Sequence, residues 1–276
     1  MIVTVWINGE LLPDDDAQVS VFDHGLVAGD GVFETIKVAA GVPFAMTRHL
    51  QRLRNSAIGL GLPEPDLEYI RAGAMAVVAD SGAPPLARLR ITFTGGKSPL
   101  GSERSGAPAN SIVAMAPQPF PADAVDVVLA PWPRNERGAM TGIKTTSYGE
   151  NVRALAYAGE RGGSEAIFGN TVGQLCEGTG TNVFVVHGGR LLTPPLASGC
   201  LAGVTRALVI EWADAVEEAL PLEALADADE AFLSGTTRDV QPIRSVDGKA
   251  LPAAPGPVTR KAAEIFKLRA AEQVDP

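Results

Sequence analysis

Three runs begin within one stretch from Gly142 to Arg206: GIKTTSYGENVRALA at 142–156, LCEGTGTNVFVV at 175–186 and LAGVTRALVIEW at 201–212. A lysine in a Gly/Thr/Ser turn between an apolar strand and a helix stands at the mouth of a fold. Partial loss of water there makes its amine nucleophilic. An acid among small residues, with a strand following, is placed to meet a cation. A Gly-Val-Thr run opening a long helix offers backbone N–H groups and the positive end of the helix dipole to an anion. Singly, each has an ordinary explanation: a solvated loop lysine, a surface charge in a turn, a helix start. It is their conjunction that points to a site.

Amine, carboxylate and anion seat are together what pyridoxal phosphate requires of a protein. The runs EGTGTNVF (177–184), LLTPP (191–195) and GVTR (203–206), with WINGELL (6–12) near the start, resemble the fold-type IV pyridoxal-phosphate enzymes, the class IV aminotransferase superfamily. That group includes branched-chain and D-amino-acid aminotransferases and 4-amino-4-deoxychorismate lyase. The resemblance covers nearly the whole chain. It implies an α/β (α+β), two-lobed fold with a small N-terminal α/β domain and a larger C-terminal α/β pseudo-barrel domain, the site lying between the lobes. A homodimer is also implied by this analogy.

The same resemblance assigns residues. Lys144 matches the Schiff-base lysine, whose freed amine serves as the base, and Glu177 the partner of the ring nitrogen. Arg52, in RHLQRLRNSA (48–57), matches the phosphate-binding arginine of an H-x-x-R-L pattern. Gly203, Val204 and Thr205 supply helix N-terminal amides and a hydroxyl, and Thr236 in LSGTT (233–237) another hydroxyl and amide. Tyr148 lies four residues after the lysine, whereas branched-chain enzymes carry a cofactor-contacting tyrosine five after it.

Substrate identity rests on fewer residues. D-amino-acid enzymes end a strand in T-R-G, but here the strand ends FTGG, with Gly95 at the arginine position. Arg90 matches instead an arginine of branched-chain enzymes that holds a substrate carboxylate. In VFETIK (32–37), Thr35 resembles the lyases; branched-chain enzymes have Phe-Glu-Gly there. The first expectation is therefore an aminodeoxychorismate lyase of folate synthesis. Lys144 would take a proton, Thr35 would assist the departing enolpyruvyl oxygen, and pyruvate would leave as 4-aminobenzoate forms. The alternative is a class IV aminotransferase acting on branched-chain or D-amino acids. A non-catalytic binding protein on the same fold is the rival from another class.

Composition narrows the partners. The formal net charge of −9 disfavours nucleic acid, no basic cluster offsets it, and no metal is expected. No run of 18 apolar, uncharged residues predicts a membrane span, and MIVTVWINGE lacks a signal-peptide pattern. Two cysteines, Cys176 and Cys200, make no disulfide framework and suit a reducing cytoplasm.

Periodicity predicts a strand over 2–7 and an Asn8-Gly9 hairpin turn, a Gly-rich loop before a strand at 32–38, and helices at 46–60 and 66–81. Strands at 86–93 and 111–116 flank a Gly/Ser-rich, mobile loop at 95–110. PQPFP makes 117–123 the linker between an N-terminal domain (1–116) and a cofactor-binding domain (124–276). There, strands are expected at 126–130, 165–168, 171–176, 182–186, 190–192, 230–233 and 240–246, with helices at 149–161, 204–217 and 257–272.

Overall fold

The computed structural model describes residues 4–276. The expected strand start at residues 2 and 3 therefore lies outside the described residues. The chain divides by contacts into two compact units. The first comprises Met1–Phe120, Ile143–Tyr148 and Val274–Pro276, and the second Pro121–Gly142 and Gly149–Gln273. The main block of the first unit ends inside the Pro-rich stretch, but the lysine segment of 143–148 joins that unit although it lies far downstream in sequence.

In the first unit, β1 (Thr4–Ile7) and β2 (Glu10–Pro13) form a hairpin whose turn has Asn8 and Gly9 at positive φ. The glycine-rich run expected as loop contains a single helical turn, α1 (His24–Val27), because the Asp23 carboxylate caps the Gly25 amide. Next come β3 (Gly31–Ala39), β4 (Val42–Pro43), α2 (Met46–Gly59), α3 (Leu67–Asp80), β5 (Ala87–Thr94) and β6 (Asn110–Pro117). The strands make one antiparallel sheet in the order β2-β1-β6-β5-β3-β4. Apolar residues at helical spacing, Met46, Leu50, Leu53 and Ala57, turn α2 onto the sheet. The side chain of Asp66 caps α3 at Tyr69. Gly73 lets α3 lie directly on Trp6, whose ring would be 2.4 Å from any Cβ there.

The 95–110 loop is held, against the expectation of mobility. Arg104 grips Asp30 through Nε and Nη2 and also donates to the carbonyls of Leu60 and Gly61. Its Gly101 carbonyl accepts from buried His24.

The second unit contains β7 (Val125–Leu129), α4 (Gly149–Gly159), β8 (Glu165–Gly169), β9 (Leu175–Gly178), β10 (Asn182–His187), β11 (Arg190–Thr193), α5 (Val204–Ala213), β12 (Val216–Glu217), β13 (Glu230–Gly235), β14 (Asp239–Val246), β15 (Lys249–Ala250) and α6 (Pro257–Glu272). Its strands form a mixed sheet in the order β12-β11-β10-β13-β14-β7-β8-β9, with β15 paired to β14. Strands β8, β10 and β13 are buried on both faces, which accounts for their unbroken apolar runs.

Two element boundaries move relative to expectation. Thr171–Gly173 form a turn and the strand is Leu175–Gly178, so Glu177 stands on a strand. Helix α5 stops at Ala213, where Asp214 adopts φ 54°, so Glu217 belongs to β12.

Candidate active site

The lysine segment is built onto the free edge of β3. Phe33 N donates to the Lys144 carbonyl (2.9 Å), and Thr146 N to the Gly31 carbonyl (2.8 Å). The hydroxyls of Thr146 and Ser147 both donate to the Gly29 carbonyl (3.0 and 3.1 Å), and the Lys144 amide donates to Ser56 Oγ on α2 (3.2 Å). Five hydrogen bonds, to β3, the loop before it and α2, fix the lysine segment while the Lys144 side chain stays part-exposed.

From that edge, Lys144 Nζ lies 4.4 Å from the centre of the Phe33 ring. The Arg90 guanidinium stacks on the same ring at 3.5 Å, and Tyr148 meets it edge-on at 5.2 Å between centroids. Two cations and a phenol thus gather on one buried aromatic ring, whose electron-rich face attracts both charges. Desolvation lowers the Arg90 pKa, with Tyr148 and Glu34 opposing that effect. Thr35 pairs with Arg90 in the β3–β5 register and is half-buried on the Phe33 side. The Phe33 role escaped the sequence reading, although the VFETIK run that singled out Thr35 contained it.

The next residue, Glu34, points to the opposite face, toward α2. It is fully buried, and its two oxygens accept from Arg52 Nε and Nη2, each at 2.7 Å. Its Oε2 also faces His49 Nδ1 at 2.7 Å. Arg52 is therefore a mostly buried member of a charged cluster, where an amphipathic helix alone suggests a solvated basic face. Burial pushes the Glu34 pKa up, but the Arg52 charge and the Arg52 and His49 hydrogen bonds overcome it and hold Glu34 at about 2. Burial also keeps His49 below its ordinary value, so Nδ1 carries the proton given to the carboxylate.

In the second unit, Glu177 on β9 is oriented by the backbone. Its Oε2 accepts the Leu201 amide at 2.9 Å, and Oε1 lies 3.6 Å from Arg134 Nε. Arg134 in turn stacks on Phe168 at 4.2 Å and donates to Asn151 and Glu150. Cys176, beside Glu177, is buried with its thiol pKa pushed up by desolvation, which makes it an inert filler.

Residues Gly203, Val204 and Thr205 open α5, and no side chain caps that helix. A Cβ at Gly203 would lie 2.0 Å from Asn182 Oδ1, so any larger residue there must displace the Asn182 side chain. Asn182 pairs with Ser234 on β13, two residues before Thr236 in the turn that follows the strand. A residue missed in the sequence, Glu165, organises the adjoining loop. It is buried and accepts from Thr179 N, Thr179 Oγ1 and Thr181 Oγ1, while Arg238 of the Thr236 turn lies 3.4 Å away. Its only sequence signal is an acid opening a fully apolar strand.

These groups fit the expected cofactor by donor chemistry: an amine, a carboxylate fixed by an amide, a buried guanidinium, and a helix start that no side chain caps. Fold and donor set define a pyridoxal-phosphate enzyme of the class IV aminotransferase type. The family profile for class IV amino-transferases matches residues 31–246, and the chain belongs to that family.

A putative branched-chain-amino-acid aminotransferase of Methanocaldococcus jannaschii is 34% identical over 275 residues, covering 95% of each chain. The crystal structure of the branched-chain aminotransferase from Thermoproteus uzoniensis with norvaline superposes with a TM-score of 0.90 at 32% identity, covering 97% of this chain and 94% of that one. The pyridoxal-phosphate-bound form of a hypothetical aminotransferase from Mycobacterium tuberculosis has a TM-score of 0.85 at 28% identity, covering 98% of both. The protein is thus a pyridoxal-phosphate-dependent enzyme of the class IV aminotransferase family. These relatives favour the second reading of the sequence over the lyase suggested by Thr35. Among the described residues no helix is long and apolar enough to cross a membrane, and no cluster of His, Cys, Asp or Glu could hold a metal.

Proposed function

We propose that this chain transfers amino groups between branched-chain amino acids and keto acids. The observation that carries the proposal is the pair of cations on Phe33. Arg90 sits on the same ring as Lys144, placing a carboxylate-binding guanidinium beside the reactive amine. The likeness to branched-chain enzymes supports it, and Gly95 in place of an arginine speaks against a D-amino-acid preference.

In this reading Arg90 holds the substrate α-carboxylate and Tyr148 borders the same ring. Lys144 Nζ would take the proton from the α-carbon and pass it to C4′ of the cofactor rather than back to the α-carbon. Glu177 faces the cofactor's ring nitrogen. Arg52, the amides of Gly203, Val204 and Thr205, and the hydroxyls of Thr205 and Thr236 hold its phosphate. The cofactor, when bound, supplies a protonated ring that spreads the negative charge left by proton removal. Thr35 lines the substrate side next to Arg90.

The homodimer belongs to the same proposal. Val19, Val21, Phe22 and Leu26 expose an apolar run on the first unit, and sedimentation would show a monomer if it is wrong. Buried free thiols at Cys176 and Cys200 agree with a cytoplasmic enzyme, and extracellular recovery of the native protein would count against it.

The test is a donor screen with 2-oxoglutarate as acceptor, against aminodeoxychorismate without an acceptor. Leucine, isoleucine or valine turnover supports the proposal, and Arg90→Gln should raise KM for them by roughly ten- to a hundredfold. Acceptor-independent release of pyruvate from aminodeoxychorismate, with no branched-chain turnover, would replace it by the lyase.

A further inference from the structure

The buried carboxylate of Glu34 has no part in the chemistry above, yet all three donors it receives come from α2, two of them from Arg52. Resting on the proposed phosphate role of Arg52, we propose that Glu34 is a positioning residue: it sets the plane of the Arg52 guanidinium, and so the edge that Arg52 presents to the cofactor phosphate.

Glu34 has no solvent exposure and receives three donors at 2.7 Å, two from Arg52 and one from His49. A two-point grip on Nε and Nη2 fixes the guanidinium plane as a single contact cannot. The Nη1 side is consequently the one turned away from the carboxylate. His49 is itself buried and sits one helical turn before Arg52 on α2, so the carboxylate cannot swing without breaking both helix contacts.

Position and charge make opposite predictions here. Glu34 cancels the charge of Arg52, so its negative charge alone weakens anion binding. If only the field mattered, removing that charge would tighten the hold on phosphate. If orientation matters more, removing it loosens that hold, because a neutral amide keeps one acceptor and turns a donor toward Nη2.

The experiment compares binding of pyridoxal phosphate and of pyridoxal, which lacks the phosphate, to the purified apoprotein by fluorescence titration. Glu34→Gln is expected to weaken pyridoxal phosphate by about tenfold or more, the scale that outer partners of ligating side chains carry at metal sites. Pyridoxal binding should stay at the wild-type level. Glu34→Asp, which keeps the charge on a shorter arm, should fall between and covers the case in which the glutamine variant fails to fold. Equal weakening of both ligands would show a merely structural role, and unchanged or tighter pyridoxal phosphate binding would show that charge outweighs orientation; either overturns the inference. Arg52→Lys separates it from the reading beneath. If that variant leaves the preference for the phosphorylated ligand intact, the phosphate assignment of Arg52 itself fails.

Discussion

Glu34, proposed to position Arg52, and Glu177, proposed to face the cofactor ring, are carboxylates held in different ways. Glu34 is fixed by side chains, two of its three donors belonging to a guanidinium. Glu177 is fixed on one oxygen by a backbone amide, with a guanidinium at longer range on the other. The contrast extends to their units. In the first, function is assembled from long side chains gathered by Coulombic and cation–π attraction on Phe33 and Glu34. In the second, it is assembled from backbone: a strand carboxylate, a glycine-opened helix and loops pinned by Glu165. Side-chain sites fail when a charge is removed, and backbone sites fail when a Cβ is added.

The sharpest way to break this contrast is at Lys144. Lys144→Ala should lower transamination by roughly a thousandfold or more, since it removes both nucleophile and base. Thermal melting should stay near wild type, because the segment's anchors are backbone groups and neighbouring hydroxyls. A large loss of melting temperature would mean that the lysine side chain supports the fold.

Next in size is the carboxylate of the backbone-built half. Glu177→Gln should lower kcat by about ten- to a hundredfold, the equivalent of exchanging a charged for a neutral hydrogen bond. The Leu201 amide still finds an acceptor in the glutamine carbonyl, so cofactor affinity should change much less than kcat. Stopped-flow single turnovers separate the two.

Gly203→Ala probes the same half through shape. Its Cβ would meet Asn182, whose amide also donates to the Leu201 carbonyl. Overpacking of this kind costs about 1–3 kcal/mol. Loss of cofactor affinity at that scale is expected, measured by titration; an unaffected affinity would show that the helix opening does not seat the phosphate.

The smallest effect lies in the loop of the first unit. Buried His24 faces an acceptor on each side, Asp30 Oδ2 at 2.7 Å and the Gly101 carbonyl at 2.9 Å, so both bonds exist together only in the imidazolium. Asp30 raises the His24 pKa, mainly through that hydrogen bond, with the Gly101 carbonyl adding to it and burial and Arg104 opposing. A raised folded-state pKa gives stability that is complete below about pH 6.5 and is lost as pH rises through the folded value. Proteolysis within 97–106 should therefore speed up above neutrality in wild type and lose that pH dependence in His24→Gln.

The residues proposed for the cofactor carry signals that are local in the sequence. A lysine beside a turn, an acid before a run of small residues and a Gly-Val-Thr helix start can be read from neighbours in sequence. The strand expected at 86–93 was legible for the same reason, through alternation, and is observed at Ala87–Thr94. Glu34, Phe33 and Glu165 were not, since an acid or aromatic within a strand announces nothing about its partners. The short reach of α5 was also hidden, because a left-handed stop at Asp214 has no strong residue signature. Thr35 shows the opposite hazard: a single local match pointed to the lyase, while the chain as a whole matches aminotransferases.

What the sequence by itself determined was the chemistry: which groups the chain owns, and that an amine, a carboxylate and an anion seat occur in one stretch. What only the tertiary structure decided was their company. Lys144 is carried by the second half of the sequence but is anchored on β3 of the first unit, where Phe33, Arg90 and Tyr148 gather around it. Such placement rests on hydrogen bonds between segments more than a hundred residues apart, and on burial that makes a carboxylate–guanidinium pair rigid where in water it would be loose.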